Sequence, residues 1–139
     1  MMQDRKKRKF VRPRRIGIHN DWHNNAPIYR QLKDRIIGML LDGLLKPGDP
    51  LPSVRQIAAE LQLNPITVMR AYQELADATL VEKRRGVGMY VTDGAREKLL
   101  VSERERFLRE EWPPLLERIR RLGMSMKELM QSAKGGDAK

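Results

Sequence analysis

Three short clusters of side chains hold the chemistry open to this chain. Ser53 and Arg55 form the first, Asn64, Pro65, Ile66, Thr67 and Arg70 the second, and Lys83, Arg84, Arg85 and Gly86 the third. Ser53 and Thr67 offer small hydroxyls beside the free backbone N–H groups of helix starts, which suits them to phosphate. Ile66 suits a thymine methyl, and Arg85 a phosphate backbone or a minor groove. Such a set positions and reads a duplex; it does not make or break bonds. No Ser/His/Asp set and no phosphate-binding loop is present, and Gly86-x-Gly88 is a lone two-glycine turn, so an enzyme is not expected. The chain has no cysteine, which excludes disulfides, a thiol nucleophile and a cysteine metal site and accords with a reducing cytoplasm.

Two amphipathic helices must position the first two clusters. Ser53 stands at an N-cap, with Val54, Ile57, Ala58 and Leu61 following at helical spacing. Asn64 and Pro65 form an N-cap and N1 pair, where a side-chain acceptor is useful and a missing N–H costs nothing. In that second helix Val68, Ala71, Tyr72 and Leu75 fall on a burying stripe, and Ile66, Met69, Arg70 and Gln73 on an outward one. Two helices of an all-α core would satisfy this pattern, and so would a helix-turn-helix. The next segment favours the latter, because Leu80 to Lys83 and Met89 to Val91 read as strands joined by the basic turn RRGVG. Ahead of the pair, Ile28, Leu32, Ile36, Ile37, Leu40 and Leu41 give a helix from about Pro27 to Asp42, stopped at Gly43. KPGDPLP then forms a stiff turn with room for a short strand at Leu51. The expected fold is mainly α: a winged helix-turn-helix of three helices and a two- or three-stranded wing, then two to three C-terminal helices.

These segments resemble the GntR-type bacterial transcription regulators, and with the short C-terminal region look most like the YtrA-type subgroup. The matching pieces are Pro27-Ile-Tyr-Arg-Gln-Leu32, Gly43-x-x-x-Pro47-Gly48-Asp49, Leu51-Pro-Ser-x-Arg55, Asn64-Pro-x-Thr-Val68, Arg70-Ala-Tyr72 and Arg85-Gly-x-Gly88. They are specific together, though none suffices alone. The resemblance places Arg55 among residues that contact double-stranded DNA, where its fork matches guanine O6 and N7; a salt bridge to a nearby carboxylate is the alternative. It places Arg85 and Gly86 at a minor-groove tip, with Lys83 and Arg84 adding positive charge. Three departures matter. Relatives carry Arg where this chain has Pro65 and Met69, so those base contacts do not carry over, and Arg70 is displaced by one position toward the groove edge. Thr79 stands where the family has a helix-ending Gly, and a left-handed cap costs more with Thr.

The ends differ from this middle. The formal net charge is +10, but residues 5–15 hold eight of the 28 Lys and Arg and no acid, leaving 20 basic against 18 acidic residues elsewhere. Basicity is thus a property of the tail, which reads either as an arm on phosphates or the minor groove or as a solvated extension. His19 and His23 are not expected to bind a metal, because Asp, Asn and Ala26-Pro27 oppose a helix between them. Trp22 is expected to anchor this lead-in. From Ala95 to Trp112 a helix carries Leu99, Leu100, Phe107, Leu108 and Trp112. Pro113-Pro114 should break it and open another with Leu115, Leu116, Ile119 and Leu122. Ser125-x-x-Glu128 caps a last helix holding Met126 and Leu129 to about Ala133, before a frayed end.

The organisation expected is therefore an arm and lead-in (1–25), a DNA-binding domain (26–94) and a helical dimerisation region (95–139). That region is too short to bury its apolar residues alone, so a second copy is the economical partner; folding back on the same chain is the alternative. A homodimer presenting two recognition helices fits an inverted repeat and repression by steric exclusion. The resemblance also implies a small-molecule effector; the C-terminal region is too short for an enclosed pocket, so such a ligand binds at the dimer interface or acts elsewhere. No cofactor is called for, and no apolar run spans a membrane. The competing function is a nonspecific architectural DNA binder driven by the basic arm, or a winged helix that binds protein only.

Overall fold

The computed structural model describes residues 21–84 and 88–137. The arm, His19, Arg85 and Gly86 lie outside them. The chain divides into two compact units, the first ending at Leu100 and the second beginning at Val101. In the first, α1 (Ile28–Leu41), α2 (Val54–Leu61) and α3 (Pro65–Asp77) precede strands β1 (Val81–Lys83) and β2 (Met89–Val91), and α4 (Ala95–Arg106) then begins. This is a winged helix-turn-helix.

Each local feature has a sequence cause. Lys46-Pro47-Gly48-Asp49 closes a turn in which Asp49 N–H donates to the Lys46 carbonyl, with Gly48 at φ +88°. Proline at the second position and a glycine free to take positive φ at the third are what such a turn requires. The turn delivers the next residues to the wing. Gly48 and Leu51 donate to the Val91 and Met89 carbonyls, and Pro50 bridges Tyr90 beside the antiparallel pair β1–β2. The expected strand at Leu51 is thus a third, minimal edge.

The core gathers one face from every element: Leu32, Ile36 and Leu40 of α1, Ile57 and Leu61 of α2, Val68, Ala71, Tyr72 and Leu75 of α3, and Val81 and Val91 of the wing. Ile28, expected on the buried stripe, is exposed at the opening of α1. Ala95 and Leu99, expected in the dimerisation region, are instead buried in this core. The first turns of α4 thereby belong to the winged helix, and Leu99 is spent on its stability rather than on a partner. Gln31 is the one buried polar side chain among the described residues. It donates to the His23 and Ala26 carbonyls and accepts from His23 N–H, which ties the lead-in to α1. Trp22 packs on the same core with the Arg35 guanidinium 4.4 Å above its ring.

The end of α3 answers the question posed by Thr79. Leu80 N–H donates to the Leu75 carbonyl and Thr79 N–H to the Ala76 carbonyl, the pairing of a glycine-type cap, and Thr79 sits at φ +59°. A β-branched residue is strained there. The Thr79 carbonyl accepts from Thr92 Oγ1 and Lys98 Nζ, which holds the conformation in place. Thr79→Gly should therefore raise stability by about 1 kcal/mol, a shift of several degrees in Tm. An unchanged or lower Tm would mean that the Lys98 bond to Thr79 Oγ1 outweighs the strain.

The second unit continues α4 into a π-helical turn (Phe107–Glu111), α5 (Trp112–Arg121) and α6 (Met126–Asp137). Pro113-Pro114 opens a further helix as expected, but without the expected break in the preceding one. The π turn widens the helix by one residue, Trp112 N–H reaches the Phe107 carbonyl, and the two prolines fall in the first turn of α5, where no N–H is needed. Ser125 and Glu128 form the reciprocal capping box that opens α6. That helix runs through Gly135 to Asp137, past the expected end at Ala133. No helix among the described residues is long and apolar enough to cross a membrane.

Candidate nucleic-acid interface

The N-termini of α2 and α3 present their functional side chains because both are capped by a residue with capacity to spare. Ser53 Oγ accepts from Gln56 N–H at 3.0 Å, leaving its own hydroxyl proton to donate. Asn64 Oδ1 accepts from Ile66 N–H at 2.9 Å, leaving its amide NH2 to donate. Between them Gln62 turns the chain at φ +56°. Buried Tyr72 holds the register of the two helices, since its hydroxyl donates to the Pro52 carbonyl at 2.7 Å, one residue before the α2 cap.

Burial pushes the Tyr72 phenol above its ordinary pKa. The folded state thus holds this proton more tightly than the unfolded chain, so its share of stability is complete below pH about 10 and is lost as pH rises beyond it. Tyr72→Phe should cost about 1 kcal/mol at pH 7, by leaving the Pro52 carbonyl without its donor. The gap to the native protein should close above pH 10, as urea denaturation across pH 7–11 would show. A gap constant with pH would mean the phenol does not ionise in the unfolding transition.

The arginines divide by whether the protein already holds them. Arg55 is exposed on the first turn of α2 and meets no carboxylate among the described residues, so the expected alternative of a salt bridge is not taken. Arg70, expected at the groove edge, instead lies over the Tyr29 ring at 3.9 Å and reaches Glu74 at 4.0 Å. Lys33 joins the same Glu74 at 3.1 Å, so one carboxylate links α1 to α3. On the wing Arg84 stacks on Tyr90 at 4.6 Å and faces Glu82 at 3.4 Å, whereas Lys83 is exposed. Pro65 and Ile66 are exposed at the start of α3, and Thr67 is half-buried beside them.

Lys83 also borders an open groove of about 410 Å³ between the α2 cap, α3 and the wing, floored by Pro52, Val54, Met69 and Met89. Met69, placed on the outward stripe by sequence but not among the DNA-contacting residues, is thus on the same surface as Ser53 and Lys83. Its helical spacing from Ile66 was the available signal. Glu74, four residues on, was visible in the sequence as a partner for Arg70, whereas Tyr29 was not, because it lies on a different helix.

In the second unit the expected self-association residues are largely uncovered. Leu108, Leu115, Leu122 and Met126 are exposed, while Trp112, Ile119 and Leu129 are half-buried. Phe107 is exposed with its ring 6.3 Å from that of Trp112, and Leu100 is half-buried at the end of the first unit. Neither the π turn nor α5 buries a single residue.

Comparison with known proteins agrees with this geometry. A family described as bacterial regulatory proteins, gntR family, matches residues 28–91. The chain is 34% identical to the uncharacterized HTH-type transcriptional regulator YhcF of Bacillus subtilis (strain 168), over 84% of this chain and 95% of that protein. It is 33% identical to the HTH-type transcriptional repressor YtrA of the same organism, over 86% of this chain and 96% of that one. Among solved structures, a GntR family transcriptional regulator from Listeria monocytogenes superposes with a TM-score of 0.68 at 28% identity, covering 82% of this chain and 98% of that one.

Proposed function

The chain belongs to the YtrA-type subgroup of the GntR family of bacterial regulatory proteins, DNA-binding transcription regulators rather than enzymes, and on that premise we propose a homodimeric repressor of promoters carrying inverted-repeat operators. Ser53, Asn64 and Thr67 hold phosphate at the two helix starts. Arg55 reads guanine, Pro65 and Ile66 lead α3 into the major groove, and the wing's Lys83, Arg84, Arg85 and Gly86 lie along the minor groove. Arg70 positions α3 against α1 through Tyr29 and Glu74.

The observation that carries the dimer is the second unit's uncovered apolar surface. Leu115, Leu116 and Ile119 on α5 and Leu122 at its C-cap recur at helical spacing, and α5 buries none of its residues. Three helices with that much apolar side chain in water are stable when a second copy covers them. Two copies set their α3 helices about 34 Å apart, one helical turn of DNA, and a bound operator excludes polymerase. Repression also follows the function named for YtrA. An effector that releases the DNA would bind between the two copies.

Light scattering on the full-length protein with promoter DNA from upstream of its own gene tests this directly. Two chains per duplex at saturation, and a dimer in the absence of DNA, are expected. One chain per site, or an array covering the duplex without a defined stoichiometry, would instead favour the architectural reading led by the basic arm.

A further inference from the structure

The outward stripe of α3 is half polar by sequence, and the structure divides it in an informative way. Arg70 is held by Tyr29 and Glu74, and Gln73 Nε2 donates to Asp77 Oδ1 at 2.9 Å. Both polar side chains of the stripe thus have a partner within the protein, although the Arg70 side chain remains 61% exposed. The two apolar ones are free: Ile66 is 70% exposed and Met69 55%. They stand three residues apart, one turn along the same face near the helix start. Exposure on that scale at two large apolar residues one turn apart, with Met69 lining the same groove as Ser53 and Lys83, serves no folding purpose.

Only one base-edge group in the major groove of unmodified DNA is apolar, the C5-methyl of thymine. Recognition helices contact bases chiefly through their N-terminal residues. We infer that Ile66 and Met69 together form an apolar reader for thymine methyl groups, so that each half-site carries thymines under the start of α3. The inference rests on the proposed reading of α3 as a DNA-recognition helix, and adds Met69 to it as a specificity-determining residue. Met69 suits the task because an unbranched thioether adapts to the surface it meets, and the groove behind it leaves room to do so. Arg55, on α2, then supplies the hydrogen-bonding part of the readout, and α3 the methyl part. A half-site of this kind contains thymines adjacent to a guanine.

The test begins with selection of duplexes from a random library by the full-length protein, followed by synthesis of the best duplex with deoxyuridine in place of thymidine. Uracil keeps every hydrogen bond and removes only the methyl. Each such replacement under α3 should weaken binding about 3- to 10-fold. Ile66→Ala and Met69→Ala, both at exposed positions, should fold normally and bind the thymine and uracil duplexes within about twofold of each other at the position each one reads. Enriched half-sites without thymine, or equal affinity of the native protein for both duplexes, would overturn the methyl reader while leaving sequence-specific binding intact. Failure to enrich any sequence would overturn the parent reading and this one with it.

Discussion

Arg55→Ala should weaken operator binding by about 1–3 kcal/mol, roughly 5- to 150-fold, without changing stability. The side chain is exposed, with no carboxylate partner among the described residues, so its removal leaves no buried group unsatisfied. Its position does the rest of the work. The Ser53 cap fixes the start of α2, and the Tyr72–Pro52 bond fixes that cap relative to α3. The backbone that carries Arg55 is thus fixed in advance, and its exposed side chain is ordered when its two donors meet a guanine. Arg55→Lys separates charge from shape, because lysine keeps the cation but not the planar fork. It should retain the salt dependence of binding and lose most of the discrimination between operator and unrelated DNA. Operator affinity unchanged in Arg55→Ala would remove this residue from the interface.

Leu115→Asn combined with Ile119→Asn should have a still larger effect on the operator, although both residues are far in sequence from any proposed base contact. They lie four apart on α5, one exposed and one half-buried, on a helix that buries none of its residues. Neutral asparagines leave the net charge at its native value, so any change cannot be assigned to lost electrostatic attraction. The variant should run as a monomer in light scattering at concentrations where the native protein is a dimer. Operator affinity should fall by about 10²- to 10⁴-fold, the gain that linking two binding modules ordinarily provides. Binding of each chain to unrelated DNA should hardly change. A variant that stays dimeric would move the interface away from α5, and one that becomes monomeric with full affinity would show that a single chain reads the site.

Most of the winged helix was legible in the sequence because its signals are local. Ser53, Asn64-Pro65 and Lys46-Pro47-Gly48-Asp49 act within four residues of themselves, and the stripe Val68, Ala71, Tyr72, Leu75 has one helical period. Where sequence reasoning went astray, the deciding contact came from elsewhere in the chain. Arg70 folds onto Tyr29 of α1, and Leu99 enters a core assembled from all the preceding elements. Neither pairing leaves a mark on the residues beside it. Pro113-Pro114 marked the start of α5 correctly but misled about a break before it, for a different reason. Two prolines end an α-helix, but a π turn just before them admits both at a helix start. Thr79 shows the same override at a cap, with Thr92 and Lys98 holding in place a conformation that its own side chain disfavours.

Sequence-specific binding is the claim on which the rest depends, and fluorescence anisotropy measures it most directly. Full-length protein would be titrated into labelled promoter DNA from upstream of its own gene and into a scrambled duplex, at low and at physiological salt. A preference of about 10³-fold or more that persists at physiological salt is predicted. Equal affinities that collapse together as salt rises would contradict it, and would mean that the phosphate backbone alone is being bound.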